Sequence, residues 1–226
     1  MENLYKELRS FFANDMDLND LFDSESIIWI DWREYDEDVV RYFNDMMAEP
    51  IDIELVSNGK PYGDDIVLKN DNKELQIPYG DEQDRDVTIK YFNDFVKPDY
   101  EVRWFVESIG NDTLGFTVLS GSEWANLEDE FGADTVRYYF EPIDFESDMF
   151  NLGMDEVFAL LALRENSEGV NTQFSTQLDW IRIINKEKTL AEQKENGQID
   201  LKQYMVAKKE LQQSKDDFIA AHGPMK

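Results

Sequence analysis

The chain has 226 residues, no cysteine, and 50 acidic against 22 basic side chains, a net charge of −28. Without cysteine, disulfide stapling, thiolate zinc sites and thiol catalysis are excluded. Its 42% apolar and 13% aromatic content can fill a real core, so excess charge is not expected to leave it disordered.

The charge is uneven: residues 181–226 hold 7 acids and 9 bases, leaving 43 acids and 13 bases in residues 1–180. Such a field repels nucleic acid and anionic membranes and draws in cationic partners. Solubility by self-repulsion is the competing explanation. The opening "MENLYKELRSFF" has neither the basic flank nor the apolar run of a secretory signal. No stretch of about 18 apolar residues occurs. A soluble cytoplasmic protein is therefore expected.

In chain order, Leu4, Leu8, Phe11 and Phe12 share one stripe, which predicts a helix over 3–12. The acidic turn "NDMDLND" follows, and "SIIWIDW" reads as a buried strand. Asp36 or Asp38 is placed to cap the next helix. In that helix Val40, Phe43 and Met47 form the core stripe.

The helix carries "RYFND", and the chain later reads "KYFND" at Lys90–Asp94. Aligning the two puts Ile89, Phe92 and Val96 at the places of Val40, Phe43 and Met47. Upstream, "DEDVV" is echoed by "DRDVTI" with one residue added. Downstream, Pro50 and Pro98 end the helices. The alternating strands "IDIELV" and "YEVRWFVE" follow, each with one polar face, and then "SNGKPYGDD" turns into "IVLKN" and "IGND" into "TLGFTVL". The pattern predicts an internal repeat, about 36–69 and 84–119, of helix–strand–turn–strand. The Asn-Asp pair reads as a solvated face. "ELQIPY" adds a strand to the first copy.

"SGSEWANLEDEFG" predicts a helix with a Ser120/Glu123 capping box, ending at Gly132. "TVRYYFEPIDF" reads as one more strand, and "MDEVFALLALREN" as an apolar helix packed on the sheet. The polar "SEGVNTQFS" marks the boundary between an acidic α+β domain, 1–166, and a helical hairpin, 176–221. The expected class is α+β: an antiparallel sheet from two duplicated helix–hairpin units, covered by helices, plus the C-terminal hairpin.

The hairpin sequence "LAEQKENGQIDLKQYMVAKKELQQ" breaks at Asn196-Gly197 and restarts at a cap, Asp200. Ile199, Tyr204, Lys208 and Leu211 follow Gly197 at offsets that resemble the SHOCT module, over about 25 residues. Asp200 stands where that family has Thr, and Gln203 where it has Glu. The resemblance implies an oligomerising or tethering role, hence a homo-oligomer through the hairpin; an ordinary hairpin closing the domain is the alternative.

Chemistry is thinly signalled. The one histidine, His222, lies in the terminal "HGPMK", which removes histidine triads and histidine metal clusters. "GKPYGDD" lacks P-loop spacing. Asp15 to Asp20 lacks the glycine and twelfth-position carboxylate of a calcium loop. Acids beside aromatics in "WIDWREYDED" and "YYFEPIDFESD" leave a carboxylate-dependent carbohydrate enzyme as the least favoured reading. No catalytic residue, metal or cofactor is expected.

The favoured reading is a binding protein that docks on a basic protein partner. Acids interleaved with aromatics supply steering and buried anchors together. The candidate partner-binding residues are Asp31, Trp32, Glu34, Tyr35, Asp36, Glu37 and Asp38, with Asp81, Glu82, Asp84 and Asp86 in a second run. Against both runs stands the plain reading of charged helix starts, favoured by the helix dipole. The lines "IPYGDEQDRDVTIKYFNDFVKPDYEVRWFVES" and "DTLGFTVLSGSEWANLEDEF" resemble the small acidic immunity proteins that neutralise bacterial polymorphic toxins. That resemblance implies inhibition of a partner toxin by occlusion. A DNA-mimic inhibitor and a phage or mobile-element assembly protein are the alternatives.

Overall fold

Periodicity sets the elements, and their placement follows from what each must cover. The structure is a computed structural model that describes residues 2–60, 63–166 and 172–225. The chain divides into two compact units, Met1–Asn151 and Leu152–Lys226. The segment expected to separate the domains, 167–175, lies largely outside the described residues, as do Pro61 and Tyr62 of the first hairpin turn. The class is α+β, with antiparallel sheets covered by helices and a C-terminal helical pair.

In the first unit, α1 (Glu2–Phe12) buries Leu4, Leu8, Phe11 and Phe12, the stripe its spacing predicts. The acidic turn holds a short helix, α2 (Leu18–Phe22), capped by Asp17, whose carboxylate accepts from the Asp20 amide. Strand β1 (Ile28–Asp31) leads into α3 (Asp36–Asp45), then β2 (Asp52–Val56), β3 (Asp65–Lys69) and β4 (Glu74–Gln76). The second copy gives α4 (Arg85–Val96), β5 (Tyr100–Phe105) and β6 (Thr113–Ser120). Both copies thus form a helix followed by an antiparallel hairpin.

The hairpins do not share one sheet, however. The first makes a three-stranded sheet, β2-β3-β4, and the second the centre of a four-stranded sheet, β1-β6-β5-β7, with β7 at Phe140–Pro142. The reason lies in the faces. Strand β2 alternates exposed and half-buried residues, so it covers a core on one side only. From Val102 to Phe105, β5 is buried on both sides.

One face of the larger sheet packs α1, α2, α5 (Gly121–Phe131) and α6 (Ala133–Tyr139) through Phe105, Leu119, Trp124, Leu127 and Phe140. Phe43 meets Phe116 of β6, with ring centroids 5.7 Å apart. Arg103, expected on a solvated face, is therefore 4% exposed. It is held by Glu101 and Glu128 at 2.9 and 2.7 Å and by the Trp124 ring at 4.4 Å. A buried guanidinium persists only when paired in this way.

The capping box of α5 forms, with Ser120 and Glu123 exchanging bonds and Gly132 following at φ 89°. Of residues 135–145, expected as one strand, 135–139 are helical and 140–142 form β7. Val136 and Phe140, four apart, both reach zero exposure in the same core, and that burial outweighs the β preference of Val and Tyr.

In the second unit, α7 (Met154–Asn166), α8 (Phe174–Glu195) and α9 (Leu201–His222) are joined side to side. Arg182 on α8 bonds Glu156 on α7 at 2.9 Å, and Trp180 meets Phe218 across α8 and α9 at 5.2 Å. Gly197 takes φ 69° and Asp200 forms a capping box with Gln203, as the break predicts. Among the described residues, no helix is long and apolar enough to cross a membrane.

Candidate functional site

The repeated motif resolves into packing. Val40, Phe43 and Met47 are buried, as are Ile89, Phe92 and Val96. Phe43 and Phe92 meet at 5.6 Å. The asparagines are not the solvated face expected of them. Asn44 donates to the Ile51 carbonyl at 2.9 Å and accepts from the Ile51 amide at 2.8 Å. Asn93, 1% exposed, accepts from the Val102 amide at 2.7 Å and donates to the Ile143 carbonyl at 2.8 Å. Each asparagine ties the end of its helix to the strand that follows. Asp45 and Asp94, the other halves of the pairs, do face solvent.

The candidate residues separate into an inner and an outer set. Asp36 does not cap α3; it is its first residue and points inward. Its carboxylate accepts from Arg85 Nε and from Thr88 Oγ1, each at 2.6 Å. The Tyr79 hydroxyl lies 2.7 Å from Thr88 Oγ1, and burial pushes the Tyr79 phenol well above its ordinary range. Asp84 caps α4, accepting from the Asp86 and Val87 amides.

Asp86, 1% exposed, accepts from three successive amides: Met149 at 3.0 Å, Phe150 at 2.9 Å and Asn151 at 3.1 Å. Burial raises its pKa, against the pull of those three donors. Asp36, Asp84 and Asp86 are therefore bonded within the fold. Of these three only Asp84 caps a helix; Asp36 and Asp86 are buried, and their bonds meet the need of a buried carboxylate for partners.

The outer set lies on the loop between β1 and α3, on the first turn of α3, and on the approach to α4. Trp32 is 53% exposed and Tyr35 67%. Glu34 accepts from the Tyr42 hydroxyl at 2.6 Å, and that bond lifts the Tyr42 phenol. Asp38 pairs with Arg41 at 3.3 Å on the surface. Glu37 is half-buried, and its Oε2 is shielded without a hydrogen-bond partner. Asp81 and Glu82 are exposed.

Arg85 joins the two runs. Besides Asp36, its guanidinium donates to the Asp31 carbonyl at 2.8 Å and to the Glu34 carbonyl. The loop carrying the exposed aromatics is thus fixed from beneath by a side chain of the second run. Its signal in the sequence was visible: Arg85 is the lone base within "DEQDRD".

Other concavities offer less. In the first unit a cleft of about 330 Å³ lies where α3 and α4 end, with Glu49, Asp52, Asp71 and Asp99 among three lysines. All four carboxylates are exposed, whereas a general acid needs a sheltered one. Among the described residues, no three His, Cys, Asp or Glu side chains gather as metal ligands. Compared with known proteins, the chain matches no family model, no curated protein and no solved structure.

Proposed function

We propose that the protein is a non-catalytic acidic binding protein of the immunity type, which occludes a basic partner protein. One observation carries this reading. Trp32 and Tyr35 stand exposed on a loop whose backbone Arg85 holds at two carbonyls. Large exposed aromatics on a fixed backbone are the usual anchors of an interface, since little order remains to be imposed on binding. Glu34, Glu37 and Asp38 beside them, with Asp81 and Glu82 on the joined run, supply the steering field.

Co-expression with the product of the adjacent reading frame tests the reading. The two should co-purify at low salt and bind more weakly near ~0.5 M salt, where the screening length falls below about 5 Å. The double substitution Trp32→Ala, Tyr35→Ala should weaken binding by about 30-fold or more, the loss of one interface hot spot. Binding indifferent to both aromatics and to salt, or no binding, overturns the proposal.

A further inference from the structure

Beneath the exposed Trp32 lies the ring of Phe150, 118 positions further along the chain. Phe150 meets Trp32 edge-on, centroids 4.8 Å apart at 85°, and stacks on Phe116 of the sheet at 6.1 Å and 18°. The Arg85 guanidinium covers the same ring at 5.3 Å. Phe150 is itself held by its own backbone. The amides of Met149, Phe150 and Asn151 all converge on the Asp86 carboxylate. The Asn151 side chain adds bonds to both oxygens of Asp84, at 3.2 and 3.1 Å.

Three successive amides around one carboxylate form the concavity that proteins elsewhere use for anions. Here an internal side chain fills it. We propose that Asp86 and Phe150 are positioning residues for Trp32, so that loosening the last residues of the first unit, 148–151, or removing the Phe150 ring also loosens the segment 31–38. The inference rests on the docking surface proposed above. It adds that the pose of the principal anchor is set from the far end of the unit rather than by the loop alone.

The geometry makes the dependence directional. Asp86 fixes the backbone of 149–151, that backbone places the Phe150 ring, and the ring supports the indole. Arg85, touching both the loop carbonyls and the Phe150 ring, ties the two segments a second time. Loosening at 148–151 is therefore felt at Trp32, whereas a change at Trp32, outermost of the series, leaves the three amides bonded.

Hydrogen exchange followed by mass spectrometry on the full chain tests this without any partner. In Asp86→Asn, exchange should rise at least about tenfold at 148–151 and also at 31–38, while β5 and β6 keep their protection. A rise confined to 148–151 overturns the coupling. Should Asp86→Asn raise exchange everywhere, Phe150→Leu decides, because it keeps Asp86 and all three amides. In that variant 31–38 should exchange faster with 149–151 still protected.

The fluorine resonance of 5-fluorotryptophan at position 32, assigned with Trp32→Phe, should also shift and narrow in Phe150→Leu as the indole gains freedom. An unchanged resonance and unchanged 31–38 exchange reject the idea. This outcome is separable from that of the docking proposal, which is read from partner binding by the Trp32 and Tyr35 variants.

Discussion

Arg85 and Asp36, the first residues of α4 and α3, occupy the same place in the two copies of the repeat and close on each other, Nε to Oδ1, at 2.6 Å. Their side chains are only 11% and 5% exposed. The letter echo of "DED" with "DRD" is thus out of step with the structure by one residue. The helices begin in register without any insertion, Tyr35 and Asp84 being the equivalent N-cap positions.

Because this pair is buried, the cost of removing one partner includes the charge left stranded on the other. Arg85→Ala strands the Asp36 carboxylate and two loop carbonyls, and about 3–5 kcal/mol of stability should be lost. The double variant with Asp36→Ala should fall well short of the summed single losses. Urea unfolding midpoints measure both.

The two asparagines should differ. Asn93→Ala leaves the buried Val102 amide without a partner and the Ile143 carbonyl with Lys97 alone, and should cost about 2 kcal/mol. Asn44 is half-exposed, so water can replace its bonds, and Asn44→Ala should cost about 1 kcal/mol. Thermal melts of the two variants suffice; equal losses would contradict the assignment.

Glu128 sets an acid limit. Burial alone would raise its pKa, but Arg137 and Arg103 outweigh that and hold it below its ordinary 4.5. A depressed carboxylate stabilises the fold above its unfolded pKa, and that contribution disappears as pH falls through the folded value. Stability should therefore drop below about pH 4.5, and Glu128→Gln should flatten the drop. Asp86 works with the opposite sign: its raised pKa makes ionisation on raising pH unfavourable to the fold. Unfolding free energies between pH 3 and 7, about the carboxylate range, would show the two slopes.

Gly121 opens α5 directly against the Pro98 carbonyl, which an added Cβ would approach to 2.5 Å. Alanine normally favours a helix over glycine by about 1 kcal/mol. Here Gly121→Ala should instead destabilise by about 1–3 kcal/mol, since the obstacle is backbone and cannot swing away. Unfolding midpoints check the sign.

The outer acids should be structurally silent. Asp81→Asn with Glu82→Gln removes two exposed charges and should leave stability within about 0.5 kcal/mol. If steering is their role, the same variant slows association with the partner several-fold without changing dissociation, as stopped-flow mixing would show.

What the sequence could reveal was local. Leu4, Leu8, Phe11 and Phe12, the stripes of α3 and α4, the Ser120 and Asp200 caps and the break at Gly197 all depend on neighbours within a turn or two. Residues 135–139 misled because Val and Tyr favour strands on average, while only the waiting core decides for helix. Arg103 misled because alternation says which residues share a face, not whether a second layer covers it.

The candidate loop was legible as acids beside aromatics, yet a carboxylate's letter is the same inside or out. Spacing along the chain therefore determined the helices, hairpins, caps and doubled pattern, since those follow from bonds between near neighbours. Only the tertiary structure decided which acids turn inward and that the hairpins join different sheets. The same is true of the ring beneath Trp32: the inward acids and this ring depend on partners some fifty or more residues away, brought into contact by burial of apolar surface rather than by sequence proximity.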